Sequence, residues 1–211
     1  MSWPILKLEN ISKNFRSEFK IQDVSLTLKK NEVHVIIGEN GSGKSTLMKI
    51  VCGLLEKDSG SIYYYNVPAS FSSLHEARTQ GIYYQHQDVQ LFENLSVAEN
   101  IFFERLPSKN FIVRGIDRLK MESDCKNLFD ELKIPIDPAT PISYLGYAQR
   151  QLVAAAKGYA SDARIIIFDE PTSSMSEIER NIFFELLERT KLKTDGIFYI
   201  SHRMDEITRV G

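Results

Sequence analysis

An α/β fold built on a parallel sheet is what this sequence predicts, and three observations carry it. Toward both ends of the chain, apolar runs of strand character alternate with segments of helical apolar spacing, the pattern of a parallel core. Ahead of the first such run, two segments alternate apolar and polar residues as antiparallel strands with one wet face do. Residues from about 90 to 160 are mostly helical in pattern and read as a helical lobe inserted into the core.

The antiparallel part comes first. ILKLENIS (5–12) and KIQDVSLTL (20–28) alternate apolar and polar residues, as strands of an N-terminal β-subdomain would. EVHVIIG (32–38) is a stronger strand running into a Gly-rich turn. Leu47, Ile50, Val51 and Leu54 then share one face of a helix expected over Thr46–Leu55. GSIYYY (60–65) reads as a strand, Ser72–Thr79 as a short helix and GIYYQ (81–85) as a strand. In the lobe, Ser96 followed by Glu99 forms a capping box for a helix through Phe103. An amphipathic helix spans Asp117–Leu132, KIPIDPATP (133–141) is a Pro-rich turn, and a second helix covers Gln149–Tyr159. The strand at 164–169, a helix over Glu177–Thr190, the strand GIFYIS (196–201) and a helix opening at Arg203 complete the core. That last helix stops abruptly at TRVG, so the reading is of one domain, residues 1–211, truncated at its C-terminus.

Composition narrows the partners. Lys and Arg number 26 against 28 Asp and Glu, a formal charge of -2, so no global basic field invites nucleic acid. No apolar run approaches the ~20 residues of a membrane helix, and MSWPILKLEN lacks the pattern of a secretory signal. Any membrane role is therefore expected to be peripheral. Cys52 and Cys125 are far apart and without metal-type spacing; both are expected to be reduced thiols.

Two short stretches carry the chemistry. GENGSGKST places Gly38, Glu39, Asn40, Gly41, Ser42, Gly43, Lys44, Ser45 and Thr46 between a strand and a helix, matching G-x-x-x-x-G-K-[ST] in the context that motif requires. Glycines let backbone N–H groups curl around phosphate oxygens, and the helix N-terminus adds its positive end. Lys44 would reach the β- and γ-phosphates, Ser45 would ligate Mg²⁺, and Thr46 would add a phosphate hydrogen bond. RIIIFDEPTSSMS (164–176) ends a buried strand with two adjacent acids, Asp169 and Glu170. Desolvating one unpaired carboxylate costs several kcal/mol, and a like-charged neighbour adds to that. Such a pair calls for a cation or for a part in the chemistry. Asp169 would hold Mg²⁺, and Glu170 would orient or deprotonate the attacking water.

Three further candidates rest on position. His202, just past the apolar strand YIS, would sit at the same sheet edge and bond the γ-phosphate. Gln87, in the polar turn after 81–85, would touch the metal or the lytic water, with Gln85 as the competing choice. Phe15, before the strand that enters the Gly-rich turn, either stacks on a base or packs in the core.

Taken together these residues resemble the ATP-binding domain of an ABC transporter, over essentially the whole chain. The order is an aromatic (Phe15), Walker A at 38–46, a Q-loop around Gln87, a signature region, Walker B ending IIIFDEPT, and then His202. GIYYQHQDVQLFENLSVAENIF and GIFYISHRMDEI look like the N-terminal ATPase half of the monosaccharide-import branch (ribose, galactose or xylose type). The resemblance implies a P-loop NTPase fold with a RecA-like parallel core, an N-terminal antiparallel β-subdomain and the inserted helical lobe. It implies ATP and Mg²⁺, hydrolysis that powers sugar import, and a second ABC ATPase domain, as a tandem half or a homodimer. It also implies transmembrane permease subunits, a periplasmic or extracellular sugar-binding protein, and a peripheral position at the cytoplasmic face of the membrane. A nucleotide-binding regulatory module with little turnover and a non-transport ABC ATPase are the alternatives.

Two departures stand out. The signature, usually LSGGQ, reads LGYAQ at 145–149: Gly146 occupies the serine position and Ala148 the second glycine position. Ser176 occupies the place of an acidic residue in the loop after Walker B. The signature of such a domain serves the nucleotide held by its partner, so the expectation is an asymmetric pair whose partner site is weakened.

Overall fold

The computed structural model describes residues 3–15, 20–103 and 117–210. Residues 104–116 of the expected helical lobe lie outside the described part. The chain divides into two compact units, one of residues 1–87, 162–171 and 189–211, the other of 88–161 and 172–188. The second unit thus takes 172–188 in addition to the stretch read as a lobe.

The first unit holds two sheets. Strands β1 (Pro4–Asn14), β2 (Lys20–Lys29), β4 (Ser59–Tyr64) and β5 (Val67–Ala69) form an antiparallel sheet in the order β2-β1-β4-β5. The three-residue β5 carries no sequence signal of its own. Its central residue is Pro68, tolerated because β5 is an edge strand and a missing N–H there breaks no ladder. Strands β3 (Glu32–Ile37), β6 (Ile82–Gln85), β7 (Ile165–Asp169) and β8 (Gly196–Ser201) form a parallel sheet in the order β3-β8-β7-β6. Every residue of β6, β7 and β8 is buried, which is why these strands read as continuous apolar runs rather than alternating ones.

One apolar core spans this unit. Leu6, Leu8 and Ile11 of β1 pack with Leu28, Ile165, Ile167, Phe198 and Ile200 and with the buried face of helix α1 (Lys44–Val51): Leu47, Met48, Ile50 and Val51. Each fully buried side chain of this size contributes roughly 1.5–3 kcal/mol. Helix α1 begins two residues earlier and ends four residues sooner than apolar spacing predicts. Leu54 and Leu55 continue the spacing, but Gly53 adopts φ +71 and approaches Phe71 so closely that a Cβ would lie 2.4 Å from the Phe71 carbonyl oxygen. The chain turns there, and the N–H groups of Leu54 and Leu55 bond back to the Lys49 carbonyl. Helix α2 (Leu74–Thr79), capped by the Ser73 hydroxyl, precedes β6, and α7 (Met204–Val210) follows β8.

The second unit contains α3 (Val97–Phe102), α4 (Arg118–Leu132), a 3₁₀ turn at Ile142–Tyr144 and α5 (Tyr147–Ala160). Helix α6 (Glu177–Lys193) begins here and ends in the first unit. The Ser96–Glu99 capping box is present: the Glu99 amide donates to Ser96 Oγ at 3.2 Å, and the Ser96 amide to Glu99 Oε2 at 2.8 Å. Asp117 caps α4 through the Lys120 amide. Helix α5 starts two residues before its apolar face predicts, because Gly146 takes the N-cap conformation and its N–H is satisfied by Gln149 Oε1 at 3.1 Å. Ser176 also has a local role. Its hydroxyl and its amide both donate to Glu179 Oε2, at 2.7 and 2.9 Å, which fixes the start of α6.

Candidate functional site

The parallel sheet gathers the predicted residues at one edge. Register pairs Ile37 with Ser201, Asp169 with Ile200 and Gln85 with Phe168, so β3, β8, β7 and β6 all end at one level. The turn at 38–43, His202, the Asp169–Glu170 pair and the 86–87 turn leave the sheet there, where ligands of open α/β folds bind.

The 38–46 turn is shaped by its own backbone. Gly41 and Gly43 have φ +80 and +98, a region that residues with a Cβ enter only under strain. Helix α1 has no side-chain cap, so its first N–H groups remain available to an anion. Lys44, 8 % exposed, donates from Nζ to the Gly38 carbonyl at 2.8 Å and the Glu39 carbonyl at 2.9 Å. A cavity of about 480 Å³ opens over the turn, lined by Asn40, Gly41, Gly43, Lys44, Ser45, Thr46, Gln87 and Glu170. Gly38, Glu39 and Ser42 belong to the turn without lining the cavity. A somewhat larger cavity, about 540 Å³, lies at the C-terminal end of α1 and contains none of the predicted residues.

The cost of burying two adjacent acids is met by named partners. Asp169, 2 % exposed, accepts a hydrogen bond on each oxygen: Ser45 Oγ donates to Oδ1 at 2.8 Å and Tyr84 Oη to Oδ2 at 2.6 Å. Glu170 has Lys44 Nζ at 4.0 Å from Oε1 and His202 Nδ1 at 3.2 Å from Oε2. Its backbone is left-handed at φ +49, a strain of roughly 1–3 kcal/mol, and its N–H is held by the Ile200 carbonyl at 3.1 Å. Non-glycine residues in that conformation concentrate at functional sites.

Between the two glutamines, the geometry separates Gln87, on the cavity, from Gln85, which is buried within β6. Next to Gln87, the half-buried His86 ring lies 4.2 Å from the Tyr84 ring. Burial, together with nearby Lys49, holds the His86 pKa below its ordinary value. Phe15 follows β1, is half-buried and does not line the cavity. Cys52 and Cys125 are free and buried; burial pushes the Cys125 thiol up to about 12, and the Cys52 thiol higher still.

Three residues of consequence escape a reading of the sequence. Tyr84 sits in a fully buried strand and looks like packing. Tyr147 occupies the first glycine position of the signature; it opens α5, is 42 % exposed, and accepts a hydrogen bond from Gln151 at 3.1 Å. Glu206, 1 % exposed, accepts the Tyr199 and Ser201 hydroxyls on the same oxygen, each at 2.7 Å, and so ties α7 to β8 on either side of His202. No spacing rule picks one buried acid out of MDEI. Replacing Glu206 by Ala removes the acceptor both hydroxyls share and is expected to lower stability by about 2–4 kcal/mol, with Glu206→Gln losing less than half as much. Urea denaturation measures this; equal losses for the two variants would rule the acceptor role out.

A parallel sheet ending in a Gly-rich phosphate-type loop, a lysine and a buried acidic pair defines a P-loop nucleotide-binding fold. The ABC transporter family profile matches residues 21–173, and the chain belongs to that family. It is 40% identical over 206 residues to the galactose/methyl galactoside import ATP-binding protein MglA of Mannheimia succiniciproducens, and 39% identical to that of Haemophilus influenzae. Each alignment covers 98% of this chain and 40% of the relative, so the chain spans about two fifths of the length of these proteins. Among solved structures, MJ1267 in its ADP conformation, described as an ATP-binding cassette of an ABC transporter, superposes with TM-score 0.79 at 26% identity. That superposition covers 99% of this chain and 85% of the other. CbiO1 of Clostridium perfringens, part of the ABC transporter complex cbiONQ, gives 0.74 at 27% identity, covering 96% and 80%.

Proposed function

We propose that residues 1–211 form one nucleotide-binding domain that hydrolyses ATP to power sugar import through the membrane subunits of an ABC transporter. The observation that carries the chemistry is the convergence of Lys44, Ser45, Asp169, Glu170 and His202 at one sheet edge over the 38–46 turn. The sugar rests on the names of the relatives, which are galactose and methyl galactoside importers.

Roles follow from position. Backbone N–H groups of the turn and the start of α1 receive phosphate oxygens, and Lys44 supplies the neutralising charge. Glu170 is placed to take a proton from the attacking water, and His202, hydrogen-bonded to it, holds that carboxylate in place and reaches the terminal phosphate. Gln87 lines the same cavity and senses its contents. Phe15 is assigned to the base.

The donor set fits Mg²⁺. Ser45 Oγ and the Asp169 carboxylate are hard oxygens, and among the described residues no group of three His, Cys, Asp or Glu forms a closed cage. Mg²⁺ binds this way, through one or two protein oxygens plus phosphates and water, whereas Zn²⁺ and Ca²⁺ ask for more protein ligands. Bound there, it would neutralise phosphate charge as the terminal bond breaks. Ser45 and Asp169 are the residues that would hold it, with Gln87 nearby.

No helix among the described residues is long and apolar enough to cross a membrane, which fits a domain docked on permease subunits at the cytoplasmic face. The proposed partners are those subunits, a second ABC ATPase domain and an external sugar-binding protein. In proteoliposomes holding the paired ATPase domains, tandem or homodimeric, and the permease, galactose-loaded binding protein is expected to raise ATP turnover at least severalfold. A rate indifferent to binding protein and sugar would overturn the transport reading. A rate near zero throughout, with nucleotide still bound, would favour the regulatory module to which the altered signature points.

A further inference from the structure

The Walker-type acid Asp169 has a second oxygen for which the metal-site assignment names no partner, and it is not exposed to water. Oδ1 takes the Ser45 hydroxyl at 2.8 Å and Oδ2 takes the Tyr84 hydroxyl at 2.6 Å. Tyr84 is 6 % exposed and comes from β6, the strand paired with the one that ends in Asp169. The three groups belong to three different elements, and each carboxylate oxygen has its own donor.

We propose that Tyr84 is the positioning residue of the metal site: its hydroxyl, donating to Asp169 Oδ2, fixes the carboxylate plane so that Oδ1 and Ser45 Oγ present a ready pair of oxygens to Mg²⁺. This rests on the assignment of the 38–46 turn and Asp169 to Mg²⁺-nucleotide.

Three considerations carry it. A carboxylate on a short side chain rotates about its terminal torsion in a broad well unless hydrogen bonds hold it; here each oxygen is held. The Ser45 proton is committed to Asp169, which leaves the Ser45 oxygen lone pairs free for a cation. Tyr84 is the donor in this pair, because an ionised carboxylate only accepts. Groups that orient a metal ligand from behind commonly change metal affinity by ~10–100-fold when removed.

The test is Tyr84→Phe, which keeps the ring and deletes the hydroxyl. Binding of a fluorescent ATP is titrated in EDTA and then against rising MgCl₂, with melting curves alongside and Tyr83→Phe as a same-strand control. The expected result is an unchanged affinity in EDTA and a Mg²⁺ midpoint raised about tenfold, with Tyr83→Phe at the wild-type midpoint. A Mg²⁺-dependent wild type matched within twofold by Tyr84→Phe overturns the proposal alone. So does a Tyr84→Phe protein whose affinity falls equally with and without Mg²⁺, or a Tyr83→Phe midpoint shifted by as much, since either means packing. A wild type whose nucleotide binding ignores Mg²⁺ overturns the metal-site assignment and the proposal together.

Discussion

Glu170→Gln is expected to lower ATP turnover about 10²–10⁴-fold while nucleotide binding is kept, the range general-base catalysis contributes. The substitution preserves shape, the left-handed backbone at φ +49 and the N–H bond to the Ile200 carbonyl. What it removes is the proton acceptor and one negative charge beside the cavity. Lys44 lies 4.0 Å from Glu170 Oε1, and in the variant its ammonium is no longer shared with a carboxylate. Nucleotide phosphates then meet a more positive turn, so affinity holds or rises. That split separates the catalytic reading from a structural one, in which binding and turnover would fall together. Phosphate release in the intact transporter, with ATP binding titrated on the same protein, measures both. A turnover within threefold of wild type would show that another group takes the proton, and the assignment of Glu170 would fall.

Legibility in the sequence tracks how local the chemistry is. The 38–46 turn and the Asp169–Glu170 pair are readable because each lies within a few consecutive residues between a strand and its sequel. The capping box at Ser96 is readable for the same reason. Tyr84 is not: its partner is 85 positions away, and a tyrosine in a run of buried residues has the pattern of packing. Glu206 lies only a few residues from its partners, yet nothing in the alternation of charges marks it as the buried one. Apolar spacing overextends helix α1 because Leu54 and Leu55 keep its period, while the turn at Gly53 is imposed by Phe71 eighteen positions later. Ser176 stands where the family pattern has an acid, although S-x-x-E is a local motif and the structure uses it to open α6.

If the chain pairs with a second ATPase domain as proposed, restoring the signature is expected to raise ATP turnover at the partner's site about tenfold or more, and the local geometry tolerates the change. A Cβ at Gly146 would meet only Gln149 Oε1, at 3.9 Å, an ordinary contact, and its φ of -66 suits any residue. Serine there completes the capping box that Gln149 already half forms, a gain of a few tenths of a kcal/mol over glycine. Tyr147→Gly and Ala148→Gly each cost up to about 1 kcal/mol of helix propensity, less in the first turn. Helix α5 survives that because Leu152, Val153, Ala155 and Ala156 are buried, at 1 % exposure or less. The gain is a hydroxyl donor aimed at a charged phosphate, worth about 1.5–3 kcal/mol, together with removal of a half-exposed ring from the helix start. To isolate the partner's site, this chain's own site is silenced by Glu170→Gln in the proposed two-domain assembly. Residual turnover is then compared with and without Gly146→Ser, Tyr147→Gly and Ala148→Gly. A tenfold rise would make the two composite sites unequal by design of this one segment. An unchanged rate would mean that the start of α5 does not meet the partner's phosphate in a way that limits hydrolysis, and the asymmetric reading would be abandoned while the site at 38–46 stood.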